Sequence, residues 1–462
     1  MATLSPLVQQ SYQAKLQRYL EADSDSVWLQ QRLKDSQFAE QITCVWGCSD
    51  FVADQAATHP SVFRQLLESG DLQRAYSDTH YLQTLQSQVE TLSDADEDAL
   101  ANTLRRFRQR EMMRIIWRDF LRLAPLLETT RDLTLLAEAC INIALDYLHP
   151  MVASELGKPL DANGEEQRML VIAMGKMGAR ELNISSDIDL IFAYPESGQT
   201  CGASRSVSNQ EFFLRLGQKL IAAIDRQTAE GFIFRVDMRL RPYGQSGPLV
   251  QNFAALEEYY LTQGRDWERY AMVKARIISG RAQDIVTLET MLQPFIYRRY
   301  LDYGAIESLR ELKRKINLQV ARQGMQDNIK LGQGGIREVE FIVQTFQLIR
   351  GGRLKTLQTQ SLYRALQCLA AEQLISEEDK DQLWAAYQFL RNTEHVLQGI
   401  GDQQTQQLPI DPLAQQRVAT VMGYADWDNF KQQLEVYRGQ VHQHFESIIV
   451  QDRTESQDNI DR

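Results

Sequence analysis

Met169-Leu170-Val171-Ile172-Ala173-Met174 runs into Gly175-Lys176-Met177-Gly178. Eight residues later comes Asp187-Ile188-Asp189-Leu190-Ile191-Phe192-Ala193-Tyr194. The first run is short, apolar and stops at a glycine, which fits a buried strand. The second alternates and then turns apolar, again a strand. Side chains at i and i+2 of a strand share a face, so Asp187 and Asp189 project together. Two like charges this close on an apolar strand are costly unless a cation lies between them. A hard divalent ion with oxygen ligands, Mg²⁺ or Mn²⁺, suits them.

A third strand is expected over Phe232 to Leu240, where residues alternate with period two. It brings in Asp237. Three carboxylates on neighbouring strands can hold two metals that clamp the attacking and leaving oxygens of a phosphoryl transfer. The turn at Gly175 and Gly178 offers backbone N–H groups to a phosphate, with Lys176 as a point charge. A lone D-x-D is weak, because paired aspartates also cap turns. The ordered set of strand, G-x-x-G, D-x-D and later strand aspartate is what points to catalysis.

Cations must meet an incoming anion, and the candidates are Lys176, Arg239, Arg241, Lys274, Arg276, Lys330 and Arg337. By period two, Arg239 and Arg241 share the face of Asp237, where ion pairing to the aspartates is the competing role. Gly332, Gly334 and Gly335 lead into an amphipathic stretch, Ile336 to Ile349, with Arg337 and Glu338 in its first turn. A helix start suits a nucleotide phosphate; the alternative is a tight domain junction. Asp266-Trp267-Glu268-Arg269 reads as packing and ion pairing, with Trp267 in the core.

The fold class expected is mostly α, with an inserted α/β module carrying a small mixed sheet. Residues 1–150 read as a helical domain, 151–282 as the catalytic module, 283–450 as a helical bundle and 451–462 as a polar linker. Helical spacing is plain in Leu104, Phe107, Met112, Ile115, Ile116 and Phe120. Arg105, Arg106, Arg108, Arg110, Arg114 and Arg118 lie between them. They read as a solvated face with aliphatic stems, or else as a basic surface for an anionic partner.

At 462 residues the chain has ample material for more than one core. A net charge of −11 argues against bulk nucleic-acid or anionic-membrane binding. No uninterrupted apolar stretch reaches the ~20 residues of a membrane span, and the first residues lack the basic and apolar parts of a signal peptide. The five cysteines are scattered, as expected of reduced thiols in the cytoplasm. No two ligand pairs have zinc-site spacing.

The strand, glycine turn and aspartates resemble the nucleotidyltransferase superfamily, with one departure: Gly-Lys stands where Gly-Ser is frequent, so a serine contact to phosphate is missing. Further stretches narrow the resemblance. Glu181-Leu182-Asn183, Ser185 to Phe192, Val236 to Pro242, Ser246 to Leu249, Gly264 to Arg276 and Asn328 to Phe341 resemble the bifunctional glutamine synthetase adenylyltransferase/adenylyl-removing enzymes. The spelling is most similar to the N-terminal, adenylyl-removing half of that family. The resemblance implies a truncated chain and phosphorolysis: phosphate attacks an adenylylated tyrosine of glutamine synthetase, and ADP leaves. It implies Asp187, Asp189 and Asp237 as metal ligands and catalytic residues. It implies phosphate or nucleotide contacts at Gly175, Lys176, Ser186, Arg239, Arg241, Lys330, Arg337 and Glu338. Mg²⁺ or Mn²⁺ would be the cofactor, and the PII signal protein, free or uridylylated, a partner. Forward adenylylation with ATP, or a PII-binding module without turnover, are the alternatives.

Overall fold

A computed structural model describes residues 4–23, 26–92, 96–228, 231–298, 311, 314 and 325–458. Eight helices come first: α1 (Pro6–Ala22), α2 (Ser26–Arg32), α3 (Ser36–Cys48), α4 (Asp50–Thr58), α5 (Pro60–Glu68), α6 (His80–Val89), α7 (Glu97–Phe120) and α8 (Leu126–Leu156). Side-chain oxygens start many of them. Ser5, Asp35, Ser49 and Asp96 each accept a hydrogen bond from a first-turn N–H. Among the described residues α8 is the one helix long and apolar enough to cross a bilayer. It is instead mostly buried, against α6, α7 and α10 (Asn209–Asp225).

α7 departs from expectation. Of its six arginines named above only Arg106 faces solvent; Arg105, Arg108, Arg114 and Arg118 are buried and Arg110 is half-buried. They form neither a solvated face nor a basic surface. The helix is enclosed by α3, α4, α5, α6, α8 and α10, so each charge must find an internal partner. Arg114 bonds Asp132 at 2.9 Å and the carbonyls of Asp71 and Arg74. Arg118 meets Glu128 at 2.7 Å, Arg108 meets Asp402 at 2.7 Å, and Arg110 meets Asp71 and Glu111.

The sheet follows. β1 (Lys158–Pro159) pairs with β4 (Thr200–Cys201) apart from the rest. The main sheet runs β5 (Val236–Asp237), β3 (Ile188–Tyr194), β2 (Leu170–Ala173), β7 (Arg276–Ser279), with β6 (Val250–Asn252) also on β3. β2 is antiparallel to both neighbours, while β5 and β6 run parallel to β3. Period two then sorts the side chains. Ile188, Leu190, Phe192 and Tyr194 enter the large helical core. Ile191 and Ala193 enter a smaller core under α11 (Phe253–Thr262), α12 (Asp266–Met272) and α13 (Ala282–Ile296). Asp189 lies on this second face, just beyond the smaller core.

The third strand is much shorter than Phe232 to Leu240. Ile233 and Phe234 are tied to the end of α10 through the Ile224 carbonyl. After Asp237 the backbone N–H of Arg239 returns to the Asp237 carboxylate at 2.8 Å, an Asx turn that ends the strand. Arg239 and Arg241 therefore lie in a turn, not on the strand face. Trp267 is 44% exposed rather than in the core.

The remaining helices are α14 (Ile336–Arg350), α15 (Leu362–Ala371), α16 (Glu377–Gly399), α17 (Pro412–Val421) and α18 (Trp427–Asp458). The stretch expected to be a linker from Gln451 continues α18 to Asp458; residues 459–462 lie outside the described residues. One apolar core takes side chains from α1 to α10, from α14 to α18 and from the sheet between them. It crosses the expected boundaries at 150 and 282, and α8 itself runs past 150. Arg114→Ala would leave Asp132 with Arg131 as its remaining partner and take the guanidinium donor from the Asp71 and Arg74 carbonyls. Urea unfolding should find the variant less stable by about 3–5 kcal/mol.

Candidate active site

Asp187 immediately precedes β3, Asp189 lies on it, and Asp237 ends β5. Asp189 and Asp237 are register partners, so their side chains leave the sheet on the same side. The three carboxylates line one cavity of about 370 Å³. Two have arginine partners. Asp187 receives the Arg235 Nε at 2.8 Å, and Arg235 also bonds Ser185 at 3.0 Å and lies over the Phe232 ring. Asp237 receives Arg239 through Nε, Nη2 and the backbone N–H, and these bonds hold its carboxyl below the usual range. Asp189 has no such partner among the described residues. Burial, and then the charges of Asp237 and Asp187, push its carboxyl up to about 6.

The glycine turn is a four-residue helical turn, α9 (Gly175–Gly178), between β2 and this cavity. Gly175 has φ +55°, and a Cβ there would sit 3.3 Å from Asp189 Oδ2. At Gly178 a Cβ would lie 2.0 Å from the Lys274 carbonyl and 2.4 Å from that of Ala173. Only glycine permits the turn to pack this closely. Arg276 fastens it, donating to the Gly178 and Met177 carbonyls at 2.9 and 3.2 Å and pairing with Glu138.

A buried chain of charges ties the turn to the C-terminal helices. Lys176 Nζ lies 2.9 Å from Glu394 on α16. Arg391 lies 3.5 Å from Glu394 and donates to the Glu181 carbonyl and Asn183 Oδ1. Lys274 bridges Glu340 on α14 at 2.7 Å and Glu181 at 3.5 Å. Burial is the largest influence on Lys176 and lowers it to about 7, against the pull of Glu394. Burial also opposes ionisation of Glu394, yet Lys176 and Arg391 hold its carboxyl down at about 2.

The candidates from sequence thus divide. Gly175, Lys176, Ser186, Asp187, Asp189 and Asp237 line the cavity, as do Arg239, Lys274 and Lys330. Lys176, Lys274 and Arg239 spend their charge on carboxylates. Among the described residues Lys330 is the cavity-lining cation with no ion pair. Arg241 does not line the cavity; it holds the carbonyls of Met238, Gln245 and Gly247. Arg276 secures the turn. Arg337 and Glu338 are also absent from the cavity wall. Glu338 is buried against His442 of α18 at 3.3 Å, and Glu340, two residues on, faces the cavity instead. The first-turn argument thus picked the wrong face of α14. The sequence reading missed Arg235, Glu340, Gln344, Glu394, Gln404 and Gln406. Alternation with Asp237 pointed to Arg235; nothing local pointed to Glu394, 218 residues from Lys176.

Three carboxylates supply the hard oxygens that Mg²⁺ or Mn²⁺ prefers. The uncompensated charge at Asp189, beside Asp237, is what a divalent cation would relieve. Among the described residues no group of three or more acidic, histidine or cysteine side chains is arranged to hold a metal ion by itself; Asp187 and Asp237 face arginines. The set therefore fits a cation that shares its coordination with substrate oxygens, as Mg²⁺ commonly does.

A mostly helical chain with a small mixed sheet, bearing carboxylates on adjacent strands beside a glycine turn, defines a nucleotidyltransferase-type fold. Residues 39–291 match the family model described as glutamate-ammonia ligase adenylyltransferase, and the chain belongs to that family. Residues 310–449 match a second model, GlnD PII-uridylyltransferase. Two curated relatives are named bifunctional glutamine synthetase adenylyltransferase/adenylyl-removing enzyme. That of Pseudomonas aeruginosa is 51% identical over 91% of this chain and 42% of its own length. That of Nitrosococcus oceani is 51% identical over 96% of this chain and 46% of its own length. The chain thus spans somewhat under half of these relatives.

A raised carboxyl at Asp189 means the folded state binds more protons than the unfolded chain between about pH 4 and pH 6. Stability is therefore lost as pH rises through that window. Asp189→Asn should be more stable than the parent above pH 6, by at most about 3 kcal/mol. The gap should shrink as pH falls toward 5, and Mn²⁺ should raise the melting temperature of the parent but not of the variant. Melts at pH 5 and pH 8, with and without Mn²⁺, check this.

Proposed function

We propose that this chain removes AMP from an adenylylated tyrosine of glutamine synthetase by metal-dependent phosphorolysis. Family membership gives the reaction class, and the spelling of Ser185 to Phe192 and of Val236 to Pro242 favours the removing direction. One observation carries the chemical reading: Asp189, beside Asp187 and Asp237, shares a cavity with Lys330, and among the described residues neither has an ion-pair partner. Acids for a cation and a cation for an anion are what phosphoryl transfer requires, since it depends on positioning and charge neutralisation more than on covalent catalysis.

Asp187, Asp189 and Asp237 would hold divalent ions, which would supply charge neutralisation for the transfer. An oxygen of inorganic phosphate attacks the adenylyl phosphorus in line. The bond from phosphorus to the tyrosine oxygen breaks, the tyrosine oxygen takes a proton, and ADP is released. Lys330 draws in the phosphate. Arg235 and Arg239 hold the carboxylates apart and in place until then. The buried charges around Lys176 and Glu394 keep the turn fixed beneath Asp189, so no reorganisation is needed at the moment of transfer.

The PII signal protein is proposed as a regulatory partner, supported by the match of residues 310–449 to the PII-uridylyltransferase model. The setting proposed is the cytoplasm. Adenylylated glutamine synthetase, incubated with the chain, Mn²⁺ and phosphate, should yield ADP. Asp187→Asn and Asp189→Asn should each lower the rate by about 10³-fold or more with an unchanged circular dichroism spectrum. AMP release without phosphate, or label entering unmodified glutamine synthetase from ATP, would contradict the direction proposed.

A further inference from the structure

The cavity has a second wall that bears none of the three aspartates. Tyr270 on α12, Gln344 on α14, and Gln404 and Gln406 from the loop after α16 form it. Gln344 stands one helical turn beyond Glu340, so both face the cavity. Glu340 is taken by Lys274, whereas Gln344 is only 4% exposed and its amide has no hydrogen-bond partner among the described residues. Its buried neighbours behave differently. Gln347 donates to the carbonyls of Leu357 and Thr359 at 2.9 and 2.7 Å, and Gln398 accepts from the Ser185 N–H at 2.9 Å. The Gln344 amide is not sealed in the interior; it opens to the cavity, where a ligand can pair with both of its groups.

The chemistry of that ligand follows from the amide. It presents one donor and one acceptor side by side, the complement of an adenine edge, where an amino group adjoins a ring nitrogen. The Tyr270 ring, 6.2 Å from Phe341, adds a flat apolar surface next to it. The polarity of the cavity agrees. Gln344 is buried, whereas the Arg239 side chain beside Asp237 is 69% exposed. A base held inward leaves its phosphate at the open end, where a tyrosine on a large protein can reach it.

We propose that Gln344 is the residue that selects adenine in this site, through a paired hydrogen bond to the base edge. The assignment rests on the function proposed above. Its test is calorimetric titration of the full chain with ADP and with GDP in Mn²⁺. The parent should prefer ADP. Gln344→Leu should weaken ADP by roughly 10- to 100-fold and leave GDP nearly unchanged. Gln344→Glu keeps the shape but offers two acceptors, which suits the two N–H donors of guanine, so the preference should move toward GDP. The melting temperature should hold in Gln344→Leu, because Gln344 has no hydrogen-bond partner among the described residues; Gln344→Glu sets a second carboxylate one turn from Glu340 and should melt somewhat lower, so its readout is the ratio of ADP to GDP affinity. If both variants keep the parental ratio of ADP to GDP affinity, or lose both nucleotides equally, the assignment is overturned. If the parent itself binds neither nucleotide, the proposed function falls with it.

Discussion

Six charged side chains, all largely buried, hold the catalytic turn to the helices that come 160 to 220 residues later. Lys176, Glu394, Arg391, Glu181, Lys274 and Glu340 alternate in sign through the interior. Removing Glu394 would leave Lys176, and removing Lys274 would leave Glu340, as a charge without its ion-pair partner among the described residues, which costs far more than the pair contributes. The arrangement is thus strongly specified even though a hydrophobic replacement of the whole set would be no less stable. It explains why the turn cannot serve as a simple phosphate cradle. Its lysine already has a carboxylate, and the burden of meeting an anion passes to Lys330.

Local sequence showed the strands, the paired aspartates and α14, because each depends on a period that a few neighbours reveal. Asp187 and Asp189 needed only the two-residue repeat of a strand. The short third strand was not legible in that way: alternation from Phe232 to Leu240 is real, but the Asx turn at Asp237 overrides it. The arginines of α7 show the same limit. Their spacing resembles that of a surface helix, and only the packing of six other helices around them makes them interior. Glu394 meets Lys176, and Gln344 faces the cavity, for reasons that exist solely in three dimensions. No window of sequence could bring α16 or α14 opposite a strand more than 150 residues earlier.

Electrostatics divides the cavity into two ends. Near the sheet, negative charge exceeds its partners at Asp189 alone. Elsewhere each lining charge is matched among the described residues, apart from Lys330. A chain with net charge −11 would repel free phosphate and nucleotides at long range, so attraction has to be local, through ions at the aspartates and one lysine. Salt should then affect capture less than it does in proteins that rely on a broad basic field.

The largest apolar core draws side chains from before, within and after the sheet. α11, α12 and α13 close a smaller core of their own against the other face of the sheet, but the larger one is not divided at residue 150 or 282, and a fragment cut at either point would expose part of a shared interior.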